Sequence, residues 1–88
     1  MHVSIEISMY PLTPEYEQPI IDFIHRLREN QDIQVHTNQL STQLVGPYDT
    51  ILDALREAMR PALSASHTVS FVLKILNVKV EPGMAASV

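Results

Sequence analysis

The sequence contains no cysteine, no tryptophan and only two glycines among its 88 residues. Because cysteine is absent, disulfides, thiol chemistry and cysteine-based metal sites are excluded. No basic cluster is present either, and six basic against ten acidic residues give a net charge of −4. Phosphate backbones therefore find little electrostatic attraction here, and we expect no nucleic-acid partner. A cationic small molecule would be easier to accommodate.

Long apolar runs are also missing. No stretch approaches the ~20 apolar residues that cross a bilayer, so we expect no membrane insertion. The first ten residues alternate polar and apolar side chains and lack the basic and apolar regions of a secretion signal. The sequence therefore predicts a soluble, cytoplasmic protein. Its length predicts one domain over residues 1–80, and the Pro, Gly and small residues of 81–88 predict a flexible C-terminal tail.

Motifs for catalysis and metal binding are absent as well. The four histidines show no H-x-H or H-x-x-x-H spacing, so no metal site is predicted. No G-x-S-x-G motif and no glycine-rich phosphate loop occurs, so we expect no catalytic residue, no cofactor and no enzyme activity. An acylphosphatase would need a cationic phosphate cradle, and the turn at residues 10–13 offers no arginine.

Alternating apolar residues predict four strands. The first covers residues 3–9, and Pro11 ends it because proline has no N–H to donate. Residues 33–38 and 41–45 predict a hairpin that ends at Gly46-Pro47. Residues 68–80 predict the last strand, which is the most apolar of the four.

Helical spacing predicts two helices. Thr13, Pro14 and Glu15 form a helix-start signature, whereas Pro19 favours a regular start nearer Gln18. The apolar residues of this helix are Tyr16, Ile20, Phe23, Ile24 and Leu27. The second helix presents Ile51, Leu52, Leu55, Ala58 and Met59, and Pro61 is predicted to stop or kink it. The order β-α-β-β-α-β predicts a ferredoxin-like α+β sandwich, with a four-stranded antiparallel sheet and two helices on one face.

The last strand predicts an assembly. Residues Val69, Phe71, Leu73 and Ile75 are expected beneath the helices, and their alternates are Ser70, Val72, Lys74, Leu76 and Val78. Three of these alternates are apolar, and near-continuous apolar character indicates a strand covered on both faces. A second copy of the same sheet is the simplest cover, so we expect a homodimer or homotetramer through the sheet face.

The open face of the sheet also carries a carboxylate. Glu6 is predicted there with Ser4, Ser8, Gln34 and His36. A carboxylate in a sheet-to-sheet interface is costly unless it is paired or hydrogen-bonded. Two interpretations stay open: Glu6 pairs with Lys74 on the neighbouring strand, or it accepts a hydrogen bond from a bound amine.

The predicted hairpin concentrates neutral hydrogen-bonding groups. By parity, Thr37 and Thr42 lie on the inner face, while Asn38 and Gln43 lie close to them in the chain. The two hydroxyls either bond to nearby backbone or line a small pocket of apolar walls and a few polar groups.

Several motifs resemble the YkoF-like thiamine-binding family of small ferredoxin-like proteins. The matching residues are Glu6-Ile7-Ser8, Tyr10-Pro11-Leu12, Thr42 and Gly46, and the likeness extends from Val3 to about Val78. The resemblance implies binding of thiamine, or of its hydroxymethylpyrimidine part, without turnover, in sheet-packed dimers or tetramers that serve vitamin transport or salvage. One departure is Val45, which stands where the family pattern has an acidic residue.

The resemblance and the local pattern together predict the ligand-binding residues. Glu6, Ser8 and Thr42 are the polar residues matched by position, and Thr37, Asn38 and Gln43 are added from the hairpin. Hydroxyl and amide groups suit the aminopyrimidine, while a carboxylate or the ring of Tyr10 or Tyr48 suits the cationic thiazolium. The alternative hypothesis is an oligomeric regulatory or scaffolding module that has no small-molecule ligand.

Overall fold

The computed structural model describes residues 1–87. Its elements follow in the order β1 (His2–Pro11), α1 (Glu17–Arg28), β2 (Gln34–Thr37), β3 (Thr42–Pro47), α2 (Tyr48–Leu63) and β4 (Val69–Leu76). The strands form one antiparallel sheet in the order β2-β3-β1-β4. Both central strands are therefore paired on two sides, whereas β2 and β4 are the edges. The predicted ferredoxin-like α+β fold is confirmed.

One face of the sheet, which we call the helix face, packs against α1 and α2. Alternate residues of β1 are buried on it, because the side-chain period of a strand is two. Each helix buries a stripe of apolar side chains against this face, at the helical spacing seen in the sequence. The core consists of Val3, Ile5, Ile7, Met9, Phe23, Leu27, Ile33, Leu44, Ile51, Leu55, Ala58 and Ala62. The rings of Phe23 and Phe71 extend this core towards β4, with centroids 5.1 Å apart.

A proline bears on the bounds of each helix: α1 starts within one residue of the expected Gln18, whereas α2 runs past Pro61. α1 begins at Glu17, and Pro19 fits its first turn because the first N–H groups of a helix have no intrahelical partner. Thr13 does not cap a helix; its hydroxyl donates to the Glu15 carboxylate at 3.1 Å. In α2, Pro61 does not stop the helix, which continues to Leu63.

β3 also continues past its predicted end. Gly46 pairs with Val3, and Pro47 pairs with His2. A Cβ atom at position 46 would lie only 3.0 Å from Cγ2 of Ile33. Glycine therefore lets the residues before β2 approach β3 closely at this point.

The last strand is shorter than expected. β4 ends at Leu76, and residues 77–80, which we call the strap, leave the ladder and cross the open face. The hydroxyl of Ser4 donates to the carbonyl oxygen of Val78 at 2.7 Å, and the N–H of Val80 donates to the same hydroxyl at 2.9 Å. Ser4 is consequently buried although it lies on the open face. The prediction of a strand to Val80 was wrong because apolar alternation does not distinguish a strand from a strap.

The chain after the strap forms a turn. The N–H of Met84 donates to the carbonyl oxygen of Glu81, and Gly83 supplies the positive φ of 85° that this turn requires. Val88, the last residue of the predicted tail, lies outside the described residues. Within residues 1–87, no helix is long and apolar enough to cross a bilayer.

Candidate functional site

A groove of about 430 Å³ opens at one end of the helix face. It lies between the end of β1, the start of α1 and the loop that joins β2 to β3. We call it the hairpin groove. Its volume falls in the range of about 300–1,000 Å³ that is typical of small-molecule sites.

The lining of the hairpin groove is apolar with a polar side. Its apolar and aromatic residues are Ile7, Met9, Tyr10, Pro11, Leu12, Tyr16, Ile20, Phe23, Ile24 and Leu40. Its polar residues are Ser8, Thr37, Asn38, Gln39, Ser41 and Thr42. None of these side chains carries a charge. The groove therefore suits an uncharged, largely apolar group that forms a few directed hydrogen bonds.

Two threonine hydroxyls meet on the polar side of the groove. Thr37 and Thr42 are direct cross-strand partners, and both lie on the helix face as their parity predicts. Their Oγ1 atoms are 3.0 Å apart, and either one is able to donate. Because two hydroxyls carry two hydrogens and share only one between them, the pair keeps a donor and acceptor lone pairs for a third group.

Asn38 acts within the loop. Its Oδ1 atom accepts hydrogen bonds from the N–H groups of Leu40, at 2.9 Å, and Ser41, at 3.1 Å. The backbone N–H of Asn38 donates in turn to the carbonyl oxygen of Ser41. Asn38 thus shapes the wall of the groove, while its amide nitrogen has no hydrogen-bond partner among residues 1–87.

The predicted ligand-binding residues divide between two places. Thr37, Asn38 and Thr42 line the hairpin groove from the helix face, and Ser8, whose side chain alternates onto the open face, borders the groove where β1 extends past the start of β3. Glu6 and Gln43 are cross-strand partners on the open face, where they line a smaller cavity of about 150 Å³. The structure therefore brings four of the six residues together and leaves Glu6 and Gln43 outside the groove. A ligand contact by any of the six stays a prediction.

Glu6 lies in a short polar network on the open face. Its Oε2 atom accepts a hydrogen bond from the Ser41 hydroxyl at 2.9 Å, and that hydroxyl accepts one from the Gln43 side-chain amide at 2.7 Å. The Lys74 ammonium lies 3.4 Å from the Glu6 Oε1 atom, which confirms the predicted pair. The Ser41 hydrogen bond, followed by the charge of Lys74, lowers the pKa of Glu6 from its usual 4.5.

The aromatic residues at the groove are only partly those expected. Tyr10 lines the groove, as one of the two predicted aromatic candidates, whereas Tyr48 begins α2 and does not. Tyr16 was expected in the helix core, but it precedes α1, is exposed and lines the groove. The sequence did not predict Tyr16 at the groove, because its spacing fits the apolar stripe of the helix although α1 begins only at Glu17.

Metal ligands do not cluster in the part of the chain that the structure describes. No group of three or more His, Cys, Asp or Glu residues within residues 1–87 is arranged to hold a metal ion.

The fold and the groove define a small ferredoxin-like α+β domain with a candidate small-molecule site. Residues 2–78 match the profile of the YKOF-related Family, so the chain belongs to this family. A comparison with curated proteins found no match.

Solved structures share the fold. A hypothetical protein from Methanocaldococcus jannascii is 29% identical, with a TM-score of 0.76 over 94% of this chain and 87% of that one. A protein from Streptococcus pneumoniae is 24% identical, with a TM-score of 0.80 over 91% and 90% of the two chains. A third, from Thermotoga maritima, has a name that suggests thiamine biosynthesis or salvage; it is 17% identical, with a TM-score of 0.73 over 99% and 91%.

Proposed function

We propose that this protein binds thiamine, or its hydroxymethylpyrimidine part, in the hairpin groove without chemical turnover. The observation that carries the proposal is the Thr37–Thr42 hydroxyl pair, which faces an apolar groove free of charged side chains. An aminopyrimidine presents an amine donor beside a ring-nitrogen acceptor, and a hydroxyl pair with one donor and free lone pairs complements that edge. The name of the Thermotoga maritima relative supports the same ligand class.

The groove also limits which part of thiamine enters it. Without a charged lining residue, the groove favours the pyrimidine over the cationic thiazolium. Tyr10 and Tyr16 are exposed and line the groove, and an aromatic ring at this place is able to attract the cation. A role in transport or salvage of the vitamin, and a cytoplasmic location, stay predictions from the sequence.

Isothermal titration with hydroxymethylpyrimidine and with thiamine tests this proposal. We expect saturable binding of both compounds and about tenfold weaker binding by Thr42→Val, because the variant removes a hydrogen-bonding group from the groove. Thr68→Val is the matched control, since Thr68 is exposed and lies outside the groove. Absence of saturable heat up to millimolar ligand would contradict the proposal. Mass spectrometry after prolonged incubation should recover the ligand unchanged.

A second candidate function, assembly without a small-molecule ligand, rests on β4. Five large apolar residues at or just after this edge strand are exposed: Val72, Leu73, Ile75, Leu76 and Val78. An apolar edge strand offers unpaired backbone groups and apolar side chains to another chain. A homodimer or homotetramer that covers the open face beside β4 would bury the exposed side chain of Val72.

Light scattering tests the assembly. We expect an oligomer for the unaltered chain and a smaller mass for Val72→Lys, because a lysine in the interface would lose its hydration. Ile21→Lys is the control, since Ile21 is an exposed apolar residue of α1, away from β4. An unchanged mass for Val72→Lys, or a monomer at high micromolar concentration, would contradict assembly through this face.

A further inference from the structure

The loop at residues 38–41 forms one wall of the hairpin groove with almost no packing of its own. Leu40, at its tip, is 87% exposed. The hydrogen bonds that shape the loop are local: Asn38 Oδ1 accepts from two loop N–H groups, and the Asn38 N–H donates to the Ser41 carbonyl oxygen. These bonds fix the turn but do not fix its position over the groove.

A single side-chain hydrogen bond among residues 1–87 joins this loop to a strand outside its own hairpin. It runs from the Ser41 hydroxyl to the Glu6 Oε2 atom, across 35 positions of the sequence. Glu6 belongs to β1, a central strand that is paired with β3 on one side and β4 on the other. The loop is thus anchored, from the open face, to one of the two strands that pair on both sides.

Two neighbouring side chains contact the Ser41–Glu6 hydrogen bond, which we call the anchor. The side-chain amide of Gln43 donates to the Ser41 hydroxyl at 2.7 Å, which directs the hydroxyl hydrogen towards Glu6. The Lys74 ammonium lies 3.4 Å from the other carboxylate oxygen and favours the ionised form of Glu6. Hydrogen bonds to an ionised acceptor are stronger than those between neutral groups.

We propose that Glu6 is a positioning residue, which acts through Ser41 to hold the wall of the hairpin groove in its binding position. This inference rests on the proposed function of the groove. Without the anchor, the loop samples positions in which the wall stands away from Thr37 and Thr42. A ligand must then order the loop as it binds, and this ordering cost weakens its affinity.

The proposal is tested with Glu6→Gln and Ser41→Ala in the full chain. Each variant weakens or removes the same hydrogen bond from one end. We expect about three- to tenfold weaker binding of hydroxymethylpyrimidine for each single variant, and no further loss in the double variant, because the two residues act through one bond. Glu29→Gln is the matched control, since Glu29 is an exposed carboxylate at the end of α1, remote from the groove lining.

A measurement on the ligand-free protein separates this inference from the proposed function. Amide hydrogen exchange at Leu40 and Ser41, followed by NMR, should be faster in Glu6→Gln and in Ser41→Ala than in the unaltered chain and in Glu29→Gln. Unchanged exchange would overturn the anchor, whether or not a ligand binds. Faster exchange with unchanged affinity would overturn the positioning role, whereas a failure of the unaltered chain to bind would overturn the proposed function.

Discussion

The central strand β1 and the edge strand β4 pair along eight positions, yet they bury their apolar residues very differently. Ile5 and Ile75 are direct partners on the helix face; Ile5 is 2% exposed and Ile75 is 51% exposed. β4 is the more apolar strand by composition. The difference shows that position in the sheet, and not apolar content, determines burial, because the helices cover the middle of the sheet and leave its edge open.

On the open face, a polar residue of β1 is buried and an apolar residue of β4 is exposed. Ser4 of β1 is polar and 3% exposed because the strap lies over it, whereas Val72 of β4 is apolar and 58% exposed. A polar residue is stable in a covered position when its hydroxyl both donates and accepts a hydrogen bond. The described chain leaves more than half of Val72 exposed, and this is the observation behind the proposed assembly.

The largest expected effect separates Ile5 from Ile75. Ile5→Ala should lower the free energy of unfolding by about 2–5 kcal/mol, because it opens a cavity in the core. Ile75→Ala should cost no more than about 1 kcal/mol, because half of that side chain is already in water. Urea unfolding at low protein concentration measures both values.

Raising the protein concentration sharpens this comparison. If a second copy covers the open face beside β4, the cost of Val72→Ala should grow with concentration, because association would bury that side chain, whereas the cost of Ile75→Ala, on the helix face, should not. Equal costs for Ile5→Ala and Ile75→Ala at low protein concentration would contradict the burial pattern.

A smaller effect is expected at the strap. Ser4→Ala should lower the free energy of unfolding by about 1–3 kcal/mol, because the Val78 carbonyl and the Val80 N–H lose their buried partner. Ser8→Ala, on the same strand and face, should change it by less than about 0.5 kcal/mol, since the Ser8 hydroxyl makes no hydrogen bond among residues 1–87. Hydrogen exchange of the Val80 amide should quicken in Ser4→Ala alone; equal exchange in both variants would show that the strap is held by other contacts.

The smallest effect concerns Glu6 and pH. Its folded-state pKa is lowered from 4.5, first by the Ser41 hydrogen bond and then by Lys74. The stability that it contributes is therefore present above pH 4.5 and is lost as the pH falls through the folded-state pKa. Below pH 4.5, the unfolding free energy of Glu6→Gln should fall less steeply than that of the unaltered chain. Parallel pH profiles would show that the carboxylate is not stabilised in the fold.

Much of the architecture follows from short-range patterns. Alternation in β1 and the helical stripes predicted the core, and parity placed Thr37 and Thr42 on the helix face. Alternation also placed Glu6 on the open face, where pairing with Lys74 was one of the two interpretations. These features depend on the period of each element and on the order of the strands. They do not require knowledge of where the chain passes after an element ends.

The features that were missed depend on contacts between distant residues. The strap continues the alternation of β4, but it bonds to the Ser4 hydroxyl, which lies 74 positions away from Val78 and 76 from Val80 in the sequence. The anchoring of Ser41 by Glu6 was not predicted, because a serine in a polar loop gives no sign of its partner. Tyr16 was placed in the core because its spacing fits the helix, although the helix begins after it.

Mapping by NMR is the most direct test of the hairpin groove. When hydroxymethylpyrimidine is titrated into the isotope-labelled chain, we predict saturable shift changes at Thr37, Thr42 and Tyr16, with Ile75 unaffected. No saturable change at these three residues, or changes confined to β4 and the open face, would contradict binding in the groove.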